Sequence, residues 1–136
     1  AELLEEGTIQ IAQLHGQEDE SYIRELKTYT DKLIIKAFSI KTAEDIEKAL
    51  QSPADYILLD QGGGGTGKTF DWSLIPEIQR PFFLAGGIGA SNLGQAIREI
   101  HPYAVDLSSS VETEKRKDPM KIRQVVDIVR EIRIIN

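Results

Sequence analysis

Cysteine is absent from this 136-residue chain, which excludes disulfides, a thiolate metal site and a cysteine nucleophile within it. No apolar run approaches the roughly 20 residues that a membrane-spanning helix needs. The acidic start AELLEEG also lacks the basic segment and apolar stretch of a signal peptide. A reducing cytoplasm is therefore the expected location, and no membrane partner is expected. Positive charge is scarce: 16 Lys and Arg stand against 22 Asp and Glu, a net charge of -6. That balance is opposite to the basic footprint of a nucleic-acid binder and serves solubility instead. Neither a metal ion nor an organic cofactor is expected. What remains is 40% hydrophobic and 28% charged, the composition of one ordinary globular domain.

Short apolar runs alternate with amphipathic stretches. The runs are Ile9–Leu14, Leu33–Phe38, Tyr56–Leu59, Phe82–Leu84 and Ala104–Leu107, and most are rich in β-branched or aromatic residues. Helical patterns cover Glu18–Tyr29, Thr42–Leu50, a short stretch near Ser73–Ile78, Asn92–Ile100 and Pro119–Arg133. Thr42 opening TAED, and Asp118 before Pro119, are helix start signals. The runs begin at residues 9, 33, 56, 82 and 104, a spacing of 22 to 26 residues. Such repeats predict βα units and a parallel sheet covered by helices. Length alone favours a doubly wound sheet, since an eight-stranded βα barrel needs roughly 200 residues or more. AELLEEG reads as the end of a helix closed by glycine, so the front looks cut off.

Both folds place function at the C-terminal strand ends. Four of those ends are unusual: QLHG, LLDQGGGGTGKTFDW, LAGGIGASN and VDLSSSVE. Gly-Gly before a helix start and paired serines after a strand supply the backbone and hydroxyl donors that a phosphate needs. Two adjacent late loops doing so is a recurring phosphate site in βα barrels, which shifts the expectation toward that fold. Gly62–Thr69 also fits the G-x-x-x-x-G-K-[ST] pattern of a nucleotide-binding P-loop. A P-loop, however, leads straight into a helix. Here Pro76 would interrupt one, and only about a dozen residues precede the next strand. A mobile loop over a strand end, carrying Gly64, Gly65, Gly67 and Lys68, explains the glycines better.

The same motifs resemble the phosphoribosylanthranilate isomerase family: QLHG at 13–16, LLD at 58–60, GGTGKTFDW at 64–72, LAGG at 84–87 and AVDLSS at 104–109. They run in the family's order and at its spacing across nearly the whole chain. The resemblance implies an α/β fold that is a partial (β/α)8 TIM barrel, with parallel strands 4–8 and their helices present and strands 1–3 absent. Residues 1–136 would form a single incomplete domain. The implied activity is the Amadori rearrangement of a phosphoribosylamine to its ketose isomer in tryptophan biosynthesis. In the family the general base is a cysteine of the first strand, and an arginine after the second meets the substrate carboxylate. Neither has a counterpart here, so the chain alone is expected to be inactive. Its expected partners are a small phosphoribosyl substrate and either the missing N-terminal units or a second copy of itself.

By resemblance Asp60 is the general acid at the ring oxygen, a role that requires it to hold a proton near neutral pH. Gln13, His15 and Asp106 are implied to bind substrate, and Gly86, Gly87, Ser108 and Ser109 its phosphate. Ser110 stands where the family usually has glycine, which opens a question about the local backbone. His101 is expected to cap or solvate a helix end, and Glu114–Asp118 to be a solvated loop. A P-loop nucleotide protein and another phosphoribosyl-binding barrel enzyme are the alternatives.

Overall fold

The computed structural model describes residues 1–61 and 72–135. After one turn of helix, α1 (Glu2–Glu5), the chain alternates β1 (Ile11–Leu14), α2 (Glu20–Tyr29), β2 (Leu33–Ser39), α3 (Ala43–Leu50), β3 (Tyr56–Asp60), β4 (Phe82–Ala85), α4 (Leu93–Ile100) and β5 (Ala104–Asp106). A small antiparallel hairpin, β6 (Glu112–Thr113) with β7 (Arg116–Lys117), precedes the closing helix α5 (Pro119–Ile135). Local signals set the starts. Thr42 and Asp45 form a capping box on α3, the Asp19 carboxylate accepts from the Tyr22 amide at 2.9 Å on α2, and Asp118 accepts from the Met120 amide at 2.9 Å on α5.

The five main strands are all parallel and lie in the order β1-β2-β3-β4-β5. A doubly wound sheet reverses its order at a switch point, and no reversal occurs here. Right-handed crossovers that never reverse place every helix on one face. Packing agrees. Ile23 of α2 meets Ile34, while Ile46 and Ala49 of α3, Leu93 and Ala96 of α4 and Val125 of α5 join Ile57, Leu59, Phe82 and Leu84 in the main core. Burying each of the larger of these side chains contributes about 1.5–3 kcal/mol. The opposite face carries Ile35, Leu58 and Ala85 with Tyr56 and Phe83. Tyr103 stacks beside both rings, at 5.6 Å and 6.1 Å, and is 66% exposed. Among the described residues, β1 and β5 each pair on one side only.

Two sequence expectations change. The stretch Ser73–Ile78 is not a helix but a single 3₁₀ turn, Trp72–Leu74, followed by irregular chain. Pro76 explains this, since it lacks an N–H and disfavours helical backbone in the residue before it. The run Glu114–Asp118 is no simple loop: Glu114 (φ 51°) and Lys115 (φ 63°) form the two-residue turn of the β6–β7 hairpin. Left-handed backbone costs a non-glycine residue about 1–2 kcal/mol. The pair Glu114→Asn with Lys115→Gly, the residues such turns favour, is therefore expected to raise stability by about 1 kcal/mol. Urea denaturation would register it as a higher midpoint at unchanged slope. His101, the C-cap of α4, is likewise left-handed at φ 55°, in line with a helix-ending role.

Candidate active site

Strand register decides which side chains reach the mouth of the sheet. Partners in parallel strands share a face, so Ser39, Asp60, Ala85 and Asp106 form one row at the C-terminal ends. Asp60 and Asp106 flank Ala85, two strand spacings or about 10 Å apart across the sheet. Both line a cavity of about 520 Å³, together with Gly86 and Gly87 after β4 and Ser108 and Ser109 after β5. Six of the residues singled out from the sequence are thus brought together.

Glycine is required at position 86. Its φ is 87°, and a Cβ there would fall 2.6 Å from Asp60 Oδ1 and from Gln61 Cγ. Gly87 is also left-handed, at φ 64°. The loop they open is held by Asn92, whose Oδ1 accepts from the Gly89 amide at 2.9 Å while its Nδ2 donates to the Gly87 carbonyl at 2.9 Å. Across the cavity, Ser108 leads into a 3₁₀ turn, Ser109–Val111. Lys117 of the hairpin donates to the Ser108 carbonyl at 3.1 Å and pairs with Glu112. Ser110 is not among the residues with positive φ, so its backbone is not in the left-handed region that favours glycine. Its Oγ and the Oε1 of buried Gln61 have no hydrogen-bond partner among the described residues.

Gln13 and Asp106 line a second cavity of about 670 Å³, which shares Asp106 with the first. His15 lies just beyond β1, exposed, and lines neither space. Its loop is nevertheless fixed from below. Lys36 points to the helix-covered face of β2 and is only 4% exposed. Its ammonium donates to the Gly16 carbonyl at 2.8 Å and to Glu18 at 2.9 Å, and Glu18 in turn accepts from the Gly16 amide at 2.8 Å. The expected loop residues Gly64, Gly65, Gly67 and Lys68 lie outside the described residues.

The Lys36 hydrogen bond, reinforced by backbone amides, holds the Glu18 carboxyl at about 2 against an ordinary 4.5. A depressed folded-state pKa contributes stability above the unfolded value and loses it as pH falls through the folded one. The stability gap between the native chain and Glu18→Gln is therefore expected to be constant above about pH 5 and to close between about pH 4.5 and 2. Thermal melts across that range would show it. A gap that persists at pH 2 would mean the carboxylate charge is not what Lys36 needs.

The residue groups missed in the sequence are those that act through backbone. Asn92 reads there only as a helix start and Lys117 only as surface charge.

Among known proteins, residues 1–128 match the family model described as N-(5'phosphoribosyl)anthranilate (PRA) isomerase. The curated N-(5'-phosphoribosyl)anthranilate isomerase of Endomicrobium trichonymphae is 45% identical over 134 residues, which cover 96% of this chain and 66% of that protein. The crystal structure of phosphoribosyl anthranilate isomerase from Thermotoga maritima aligns with a TM-score of 0.79 at 34% identity, covering 96% of this chain and 66% of the other. A further phosphoribosyl anthranilate isomerase, solved in complex with reduced 1-(o-carboxyphenylamino)-1-deoxyribulose 5-phosphate, aligns with a TM-score of 0.76 at 31% identity over 96% of this chain and 64% of its own. The chain spans just under two thirds of the length of these relatives.

Proposed function

The chain belongs to the N-(5'-phosphoribosyl)anthranilate isomerase family, and on that premise we propose that it carries the general acid and the phosphate site of that isomerisation. The observation that supports this most is that Asp60 and two donor-rich loops open into one cavity at the ends of β3, β4 and β5. Phosphate would lie between Gly86-Gly87 and Ser108-Ser109, where backbone N–H groups and hydroxyls can receive it. That anchorage would set the furanose ring over the row holding Asp60, while Asp106 and Gln13 would meet sugar hydroxyls or the ring substituent. His15 would join them only if its exposed loop turned inward.

Asp60 would donate its proton to the ring oxygen as the bond from C1 to that oxygen breaks, leaving an open-chain iminium. A base would then remove the proton from C2, and reprotonation would deliver the ketose, N-substituted 1-deoxyribulose 5-phosphate. The change is an internal proton transfer with no net oxidation, so it calls for acid and base catalysis. A base other than cysteine would be needed within these residues, because the chain has none. We therefore read the sheet as strands 4–8 of an eight-stranded barrel whose first three units, supplied separately or by a longer chain, would meet the β1 and β5 edges and cover Tyr103. A cytoplasmic setting belongs to the same reading, since the substrate would be a phosphorylated biosynthetic intermediate.

Titration with the reduced product analogue tests the site. The expected result is saturable shifts of the Gly86, Gly87 and Ser109 amide resonances, with inorganic phosphate competing. Shifts produced by Mg-ATP and not by the analogue would instead favour a nucleotide site. Among described residues 72–81 only a 3₁₀ turn occurs, where a P-loop would continue as helix.

A further inference from the structure

Asn92 occupies the N-cap of α4, where an asparagine ordinarily accepts a hydrogen bond from the second or third helical amide. It makes no such bond. Its side chain turns the other way, accepting from Gly89 N–H and donating to Gly87 C=O, each at 2.9 Å. The residue thus forgoes a cap that ordinarily stabilises a helix start. It does so inside the wall of the 520 Å³ cavity, beside two consecutive left-handed glycines. Such backbone persists only where its surroundings hold it. Both hydrogen bonds of the side-chain amide are spent on the loop, and its backbone carbonyl alone serves the helix, accepting from the Ala96 amide at 2.9 Å.

We propose that Asn92 is a positioning residue for the anion site: by engaging the Gly87 carbonyl and the Gly89 amide it fixes the Gly86–Gly89 loop, so that the amides of Gly86, Gly87 and Ile88 are presented to a phosphate group. This rests on the reading of the cavity as a phosphate site. Asparagine suits the task because it offers a donor group and an acceptor group without charge. Aspartate would lose the bond to Gly87 and set a negative charge beside the anion. The Leu93 amide of α4 donates to the Gly89 carbonyl at 2.8 Å, tying the helix start to the same loop.

Serine separates the two roles of this position. It is an excellent helix N-cap, but its hydroxyl is too short to bridge Gly87 and Gly89. The native chain, Asn92→Ala and Asn92→Ser are each titrated with inorganic phosphate by amide NMR, and their melting temperatures recorded. Both variants are expected to bind phosphate about tenfold more weakly, the scale of one or two net hydrogen bonds. Asn92→Ser is expected to melt at or above Asn92→Ala while remaining just as weak a binder. Native affinity in either variant would overturn the inference, as would a serine that restores stability and affinity together. No phosphate response in the native chain would overturn the phosphate reading itself, and the positioning role with it.

Discussion

Replacing Asp60 with Asn is expected to lower isomerase turnover by about 100- to 10,000-fold, the contribution of a positioned acid, while affinity for the reduced product analogue stays within about tenfold. The measurement belongs to this chain combined with the first three βα units of a related barrel, which on the proposed reading would supply the base. The asymmetry between rate and affinity follows from where Asp60 sits. Its carboxyl group lines the cavity from the last residue of β3, and the strand below it is anchored by Ile57 and Leu59, both fully buried. Its backbone carbonyl accepts from the Ile40 amide at 2.6 Å, a bond the substitution leaves alone. Asparagine keeps the shape and hydrogen-bonding capacity of the wall and removes only the transferable proton. Near-normal turnover would show that another group protonates the ring oxygen.

Gly86→Ala is expected to be the most damaging single-methyl change near the mouth, costing about 2–3 kcal/mol of stability and abolishing saturable phosphate binding. Two effects combine. The backbone is at φ 87°, and the new Cβ would fall 2.6 Å from Asp60 Oδ1 and Gln61 Cγ and 3.0 Å from the Gln61 amide nitrogen. Gly7 separates them, because it too is left-handed, at φ 75°, yet a methyl added there would meet nothing within 4 Å. Gly7→Ala is accordingly expected to cost about 1 kcal/mol, the backbone penalty alone. Denaturation of the two variants side by side then gives the steric contribution by difference. Equal losses would mean that Asp60 and Gln61 move aside freely and that the close approach at Gly86 has no role in shaping the site.

The parts of the fold that sequence makes legible are those carried by side-chain periodicity. Apolar runs and polar-faced helices at 22- to 26-residue spacing locate β1 to β5 and α2 to α5. Chain length, by contrast, points toward a doubly wound sheet, because length is silent about strand order. The sequential order of the five strands is a tertiary property. The hairpin at 112–117 escapes detection because its turn is Glu-Lys and not the Asn-Gly or Asp-Gly pair that such backbone favours. Lys36 is similarly hidden: alternation puts it on the helix-covered face, and the Glu18 carboxylate and Gly16 carbonyl help to make that burial tolerable. At the site, Gly-Gly and Ser-Ser announce themselves through composition. Their braces, Asn92 and Lys117, act on backbone groups and leave no pattern. His15 shows the converse, a residue marked by motif that stands exposed outside both cavities.

The isomerisation assay of the isolated chain, repeated after addition of the first three βα units of a related barrel as a separate polypeptide, tests the central claim most directly. If these residues hold the acid and phosphate half of the site, turnover is undetectable for the chain alone and emerges on mixing, saturating with the added piece and disappearing in Asp60→Asn. Turnover by the chain alone at the rate of an intact isomerase would contradict the account, placing a complete acid-base pair within these cysteine-free 136 residues.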